Sequence, residues 1–158
     1  GELDHRWDGE IREQVAAMRQ PLHQVHTAIL ETAEQENLRV RSRIISDFEM
    51  DLYVVTKLLD VEADDLRRLY DLTVRHFAND SFYVHFNDNN LAVVPRCVNK
   101  RRAVQYLIDT RLCAAADNLL TIGVGDSTSD LDFMAVCDYC LTPRTSQIAR
   151  ALMEAHGV

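Results

Sequence analysis

The sequence predicts an α/β protein in two parts: a partial Rossmann-like parallel core over residues 96–158, preceded by an α+β unit of α-β-β-α-β-β order over residues 1–95. Three observations lead there. The hydrophobic period switches between helical and strand values in that order as far as Pro95. Beyond Pro95 helices and strands alternate singly, which calls for a parallel sheet with right-handed crossovers. Residues 119–124 (LLTIGV) form an apolar run of the kind that makes a strand buried on both faces.

The first helix spans residues 7–36, where Ile11, Val15, Met18, Leu22, Val25, Ile29 and Ala33 recur at three- and four-residue steps. Pro21 falls inside it and is expected to kink or divide it. His23 and His26 share a face with no acid or cysteine nearby in sequence, and read as a wetted helix surface. Residues 38–46 (LRVRSRIIS) alternate apolar and basic, so Arg39, Arg41 and Arg43 point together from a half-exposed strand. A turn at 47–51 leads to a second strand at 52–58, which carries Lys57. Residues 61–78 form an amphipathic helix whose first turn holds Glu62, Asp64 and Asp65. Strands at 81–87 and 91–94 follow, joined by the turn signal Asp88-Asn89-Asn90. This order builds an antiparallel sheet with helices on one face. The other face is left open, where the arginines and His85 can line it.

Past Pro95 a helix is expected at 101–111, the core strand at 119–124, a helix from Ser127 to about residue 136, a short strand at 139–141 and a last helix at 145–156.

The chain has 158 residues, 47% of them apolar, which is enough for a real core. Lys and Arg number 17 against 25 Asp and Glu, a formal charge of −8. That argues against nonspecific binding to nucleic acid or to an anionic membrane. No apolar run is long enough to span a bilayer, and no signal-peptide pattern is present. Cys137 and Cys140 have CxxC spacing but no second pair to complete a zinc site. With Cys97 and Cys113 they read as free thiols of a reducing cytoplasm.

Chemistry concentrates after the core strand. Gly123 and Gly125 allow a tight turn or a close approach, and Asp126 and Asp130 follow, four residues apart around Ser127-Thr128-Ser129. In isolation such acids are a helix cap and a first-turn acid. At the carboxyl end of a buried strand they lie where open α/β sheets bind ligands. Their oxygens suit Mg2+, which takes few protein ligands and keeps waters for a phosphate.

Lys100 at a helix start, followed by Gly125-Asp126-Ser127-Thr128-Ser129-Asp130, resembles the third and fourth motifs of the haloacid dehalogenase-like phosphatases, with Ser129 where many members carry Asn. The preceding α-β-β-α-β-β unit resembles the cap of the sugar-phosphatase-like branch. The resemblance covers the whole chain, as cap 1–95 and the carboxyl-terminal part of the core 96–158. It implies that Lys100 holds the substrate phosphate. It also implies that Asp126 binds Mg2+ directly, that Asp130 does so directly or through water, and that Ser127 orients that shell. Arg43, Lys57, His85 and Asn87 of the cap become the residues that select the leaving group. The implied substrate is a small phosphorylated metabolite such as a sugar phosphate, with no nucleic acid or membrane partner.

One part of the family pattern is missing. The family's nucleophile is an Asp-x-Asp directly after a buried strand, and no apolar strand here runs into one. The motif carrying Ser or Thr ahead of the cap is missing too. With a first residue of Gly1, the chain is expected to be a piece of a longer phosphatase and to lack turnover on its own, since aspartyl-phosphate chemistry needs that carboxylate. An apolar strand edge is then expected to stand open, available for homo-oligomer formation. The alternative is a non-catalytic module of the same fold that binds a phosphorylated ligand or a partner.

Overall fold

Helix α1 (His5–Gln35) is the longest element of the structure, at 31 residues. The structure is a computed structural model and describes residues 4–59, 63–87, 90–113 and 118–157. Asp4 caps α1, its carboxylate accepting from the Trp7 N–H at 3.2 Å. Pro21 does not divide it. The helix runs through unbroken, because Val15, Leu22, Val25, Ile29 and Ala33 form one buried stripe on either side of the proline and packing outweighs one missing hydrogen bond.

Strands β1 (Val40–Asp47), β2 (Met50–Leu58), β3 (Phe82–Asn87) and β4 (Asn90–Pro95) form an antiparallel sheet ordered β1-β2-β4-β3. Helix α2 (Ala63–Phe77) lies between β2 and β3 in sequence. One sheet face packs on the helices: Val54, Phe82 and Val93 are buried with Leu22, Val25 and Ile29, and Met18, Ile44, Phe77 and Val84 close around them. Ser42 and the buried Thr56 share this face and satisfy each other at 2.8 Å between hydroxyls. Tyr70 of α2 meets Phe86 edge to face, 5.3 Å between ring centres. The expected start of α2 at Val61 and Glu62, and the turn at Asp88 and Asn89, lie outside the described residues.

His23 is less isolated than its sequence neighbours suggest. Asp51 of β2 accepts from His23 Nε2 at 2.9 Å, from Arg19 Nε at 3.2 Å and from Ser46 Oγ at 2.7 Å. The hydrogen bonds from Ser46 and His23, helped by the charge of Arg19, hold the Asp51 carboxyl below the usual carboxylate range against the opposing effect of burial.

The chain divides into two compact units, Gly1–Val98 and Asn99–Val158. In the second, α3 (Lys100–Leu107) continues as a π-helical turn, Ile108–Leu112. Strand β5 (Ile122–Val124) pairs in parallel with β6 (Tyr139–Leu141). Between them come a 3-10 turn, Thr128–Asp130, and the short α4 (Leu131–Met134). Helix α5 (Gln147–His156) follows β6. The expectation of a strand buried on both faces does not hold for β5. Gly123 packs against Met134 and Cys137 on one side, but Ile122 and Val124 remain 52% and 62% exposed. The reason is geometric: among the described residues β5 has a single strand neighbour, and α4 covers only one face.

No cysteine is disulfide-bonded among Cys97, Cys113, Cys137 and Cys140. No helix among the described residues is long and apolar enough to cross a membrane.

Candidate active site

The site is built from two helix starts and one strand end. Asn99 caps α3, its side chain accepting from the N–H groups of Arg101 and Arg102 at 2.7 and 3.4 Å, and this fixes Lys100 as the first helical residue. Strand β5 delivers the chain to Gly125. The approach there is closer than any side chain allows: a Cβ on Gly125 would stand 2.5 Å from Asp130 Cβ and 2.7 Å from Met134 Sδ. Ser127 caps the following 3-10 turn, and Asp130 answers in a reciprocal capping box.

Asp130 is the hub. Its side chain is 7% exposed, yet it accepts from three donors. Lys100 Nζ donates to Oδ1 at 2.6 Å, and the N–H groups of Asp126 and Ser127 donate to Oδ2 at 3.2 Å each. Burial pushes the carboxyl upward, but the Lys100 hydrogen bond, the Ser127 N–H, the Lys100 charge and the Asp126 N–H together hold it below its ordinary range. Lys100 is itself 68% exposed, and its ammonium stands 5.9 Å from the centre of the Phe133 ring. Asp126 is exposed beside it. The Asp126 backbone is held from behind, its carbonyl accepting from the Gln147 N–H at 2.9 Å, while Gln147 Oε1 accepts from the Thr128 N–H at 3.3 Å.

Lys100, Asp126 and Asp130 therefore line one cleft of about 380 Å³, together with Gly125, Val124, Ala103, Val104 and Phe133. Ser127 follows Asp126 in the loop, its Oγ 2.9 Å from Ser129 Oγ. Sequence reading did not single out Phe133, Ala103, Val104 or Gln147. The signal for the first three was helical spacing: Phe133 lies three residues past Asp130, and Ala103 and Val104 three and four past Lys100. Gln147 contacts the loop across 19 residues of sequence and left no local trace.

The other expected site residues lie in the first unit. Strand register places Arg43 in one row with Val55, Ala92 and His85, and Lys57 in the next row with Arg41, Asn90 and Asn87. Arg43, Lys57 and His85 therefore belong to the sheet face away from the helices. Arg43 and Lys57 are exposed and His85 half-buried; the side chain of Asn87 lies outside the described residues.

The donor set can be weighed against Mg2+. No group of three metal-ligating side chains occurs among the described residues. A cation that keeps most of its waters needs only one or two carboxylates. Asp126 offers an exposed one, whereas both Asp130 oxygens already accept from the protein.

No family model matches the chain, and no curated protein does. Solved structures do match in fold. An N-terminally truncated, IMP-bound IMP-nucleotidase of Plasmodium falciparum superposes with a TM-score of 0.50 at 14% identity, over 94% of this chain and 41% of that one. The C-terminal domain of Candida albicans trehalose-6-phosphate phosphatase gives 0.47 at 15% identity, over 74% and 41%. The chain thus spans under half the length of these structures, and its likeness to the IMP-nucleotidase is one of fold.

Proposed function

We propose that this chain contributes the phosphate- and metal-facing half of an Mg2+-dependent phosphate monoester hydrolase that acts on a small phosphorylated metabolite. The observation that carries this reading is Lys100 Nζ held 2.6 Å from Asp130 Oδ1 on the cleft that Asp126 also lines. A fixed ammonium beside an exposed carboxylate suits phosphoryl transfer, where catalysis is mostly positioning and charge neutralisation. Asp130 orients Lys100 and the Asp126–Ser127 turn; Lys100 takes the phosphate as a compact point charge. Asp126 would hold the metal directly and Asp130 through water, and the bound cation supplies charge neutralisation at the phosphoryl oxygens. Ala103, Val104 and Phe133 give the cleft an apolar wall that lowers the local dielectric.

A sugar phosphate is the substrate we favour, from the cap-like α-β-β-α-β-β order of the first unit. Arg43, Lys57, His85 and Asn87 are assigned to the leaving group. The chain alone lacks the nucleophile and does not turn over.

The test has two arms. Mg2+ titration of the chain, followed by amide NMR, shifts Asp126 and Ser127, and Asp126→Asn abolishes the response. Phosphomonoester hydrolysis is absent from the purified chain and present, with Mg2+, in the longer polypeptide that contains it. Turnover by the chain alone that survives repurification, or amides indifferent to Mg2+, sinks the reading. A longer polypeptide that binds phosphate without hydrolysing esters makes the cleft that of a binding module instead.

A further inference from the structure

The sheet face of the first unit away from the helices has a charge pattern at odds with the rest of the chain. Arg41 stands directly opposite Lys57 across β1 and β2, and Arg43 follows two residues along the same face. Directly opposed side chains have Cβ atoms about 5 Å apart, and like charges in that position destabilise a sheet. None of the ion pairs among the described residues involves these three cations, and all three are exposed. The same alternation puts Ile45 and Asp47 of β1, Met50, Tyr53 and Val55 of β2, Tyr83 and His85 of β3 and Asn90, Ala92 and Val94 of β4 on this face. Among these described positions the one carboxylate is Asp47, at the hairpin end of β1 and four residues beyond Arg43, where it accepts from the Phe48 N–H at 2.9 Å, in a chain with 25 acids against 17 bases. Acids elsewhere do meet bases: Asp8 with Arg12, Asp51 with Arg19, Glu36 with Arg68. The centre of the face is low, since Val55 and Ala92 separate Arg43 from His85.

We propose that this face is an anion-binding surface, which takes a small molecule bearing a phosphate or diphosphate group across Arg41, Lys57 and Arg43. The anion relieves the repulsion of the opposed pair, and the two guanidinium groups supply bidentate donors that a lysine pair would not. The small residues beside the cations leave room for the body of the ligand. This site is separate in residues from the Lys100 cleft and stands without it.

The probe is inorganic pyrophosphate, titrated into the 158-residue chain at low ionic strength and followed by amide NMR. Amides of β1 and β2 shift, the affinity falls as salt is raised, and the double variant Arg43→Gln/Lys57→Gln binds about tenfold more weakly or worse. These exposed positions leave the fold intact, checked by the unchanged amide spectrum of the helix-facing strand residues. Lys100→Gln leaves the β1 and β2 shifts in place. Unchanged affinity in the double variant, or shifts confined to residues 99–158, overturns the proposal. Loss of shifts near Asp126 with retained shifts in β1 and β2 counts against the hydrolase reading alone.

Discussion

At the scale of single residues, Asp130 decides the shape of the cleft. It is a buried carboxylate whose charge is maintained by one ammonium and two N–H groups. Asp130→Asn keeps the volume but removes the charge that Lys100 meets, and is expected to cost about 1–3 kcal/mol in urea unfolding, with Lys100 released from its fixed position in NMR. Gly125→Ala acts on the same point by a different route. The new methyl collides with Asp130 Cβ and Met134 Sδ, backbone or side chain must shift, and about 1–3 kcal/mol is lost. The pH dependence follows from Asp130 and Asp51 together, both with carboxyls held below the ordinary range. A group lowered in the folded state stabilises above its unfolded pKa, about 3.9 for Asp. That contribution is lost as pH falls through the lower folded value. Stability should therefore stay level from neutral pH to about 5 and then decline. Asp51→Asn removes the share belonging to the first unit, as read by acid titration of its amides.

At the scale of elements, the β1–β2 hairpin shows how far local sequence specifies structure. Phe48 and Glu49 both adopt left-handed backbone, at φ 47° and 65°, which matches the tight primed turn that twisted hairpins favour. Asn-Gly is the usual choice there, and a non-glycine residue in this region costs about 1–2 kcal/mol. Phe48 is also 65% exposed, so its side chain returns little. Phe48→Asn/Glu49→Gly is expected to raise stability by about 1–2 kcal/mol, measured as a higher urea midpoint with the Arg12–Phe48 carbonyl bond retained. A lower midpoint would mean that Phe48 makes contacts its exposure does not reveal. The four strands of this unit were legible because their alternation is tied to one buried face. The unbroken α1 was not legible at Pro21, since a stripe of five buried residues is a tertiary quantity. The Asp51 cluster was hidden for the same reason, its partners lying 28 and 32 residues away. Around the cleft, Gly125, Asp126 and Asp130 could be read from spacing, whereas the 30-residue bridge from Lys100 to Asp130 needed the fold.

At the scale of the whole molecule, the two units differ in how completely they cover their own apolar surface. The first buries its sheet under two helices. The second presents a two-strand ribbon with Ile122 opposite Tyr139 and Val124 opposite Leu141. These four side chains share the face that α4 leaves bare, and each is more than half exposed. Cross-strand neighbours of this kind form a continuous apolar patch, and a short strand with a free edge is a template for pairing. A second copy of the chain meets both needs at once, since a two-fold axis brings the same patch against itself. The chain is expected to associate with itself, seen as a sedimentation coefficient that rises with concentration. Ile122→Thr/Leu141→Thr keeps β propensity while removing apolar area worth about 25 cal/mol per Å², and should return the chain to a monomer with its circular dichroism unchanged. A wild-type chain that sediments as a monomer over the whole range would show that this ribbon, though bare, is too small to hold a partner of its own kind.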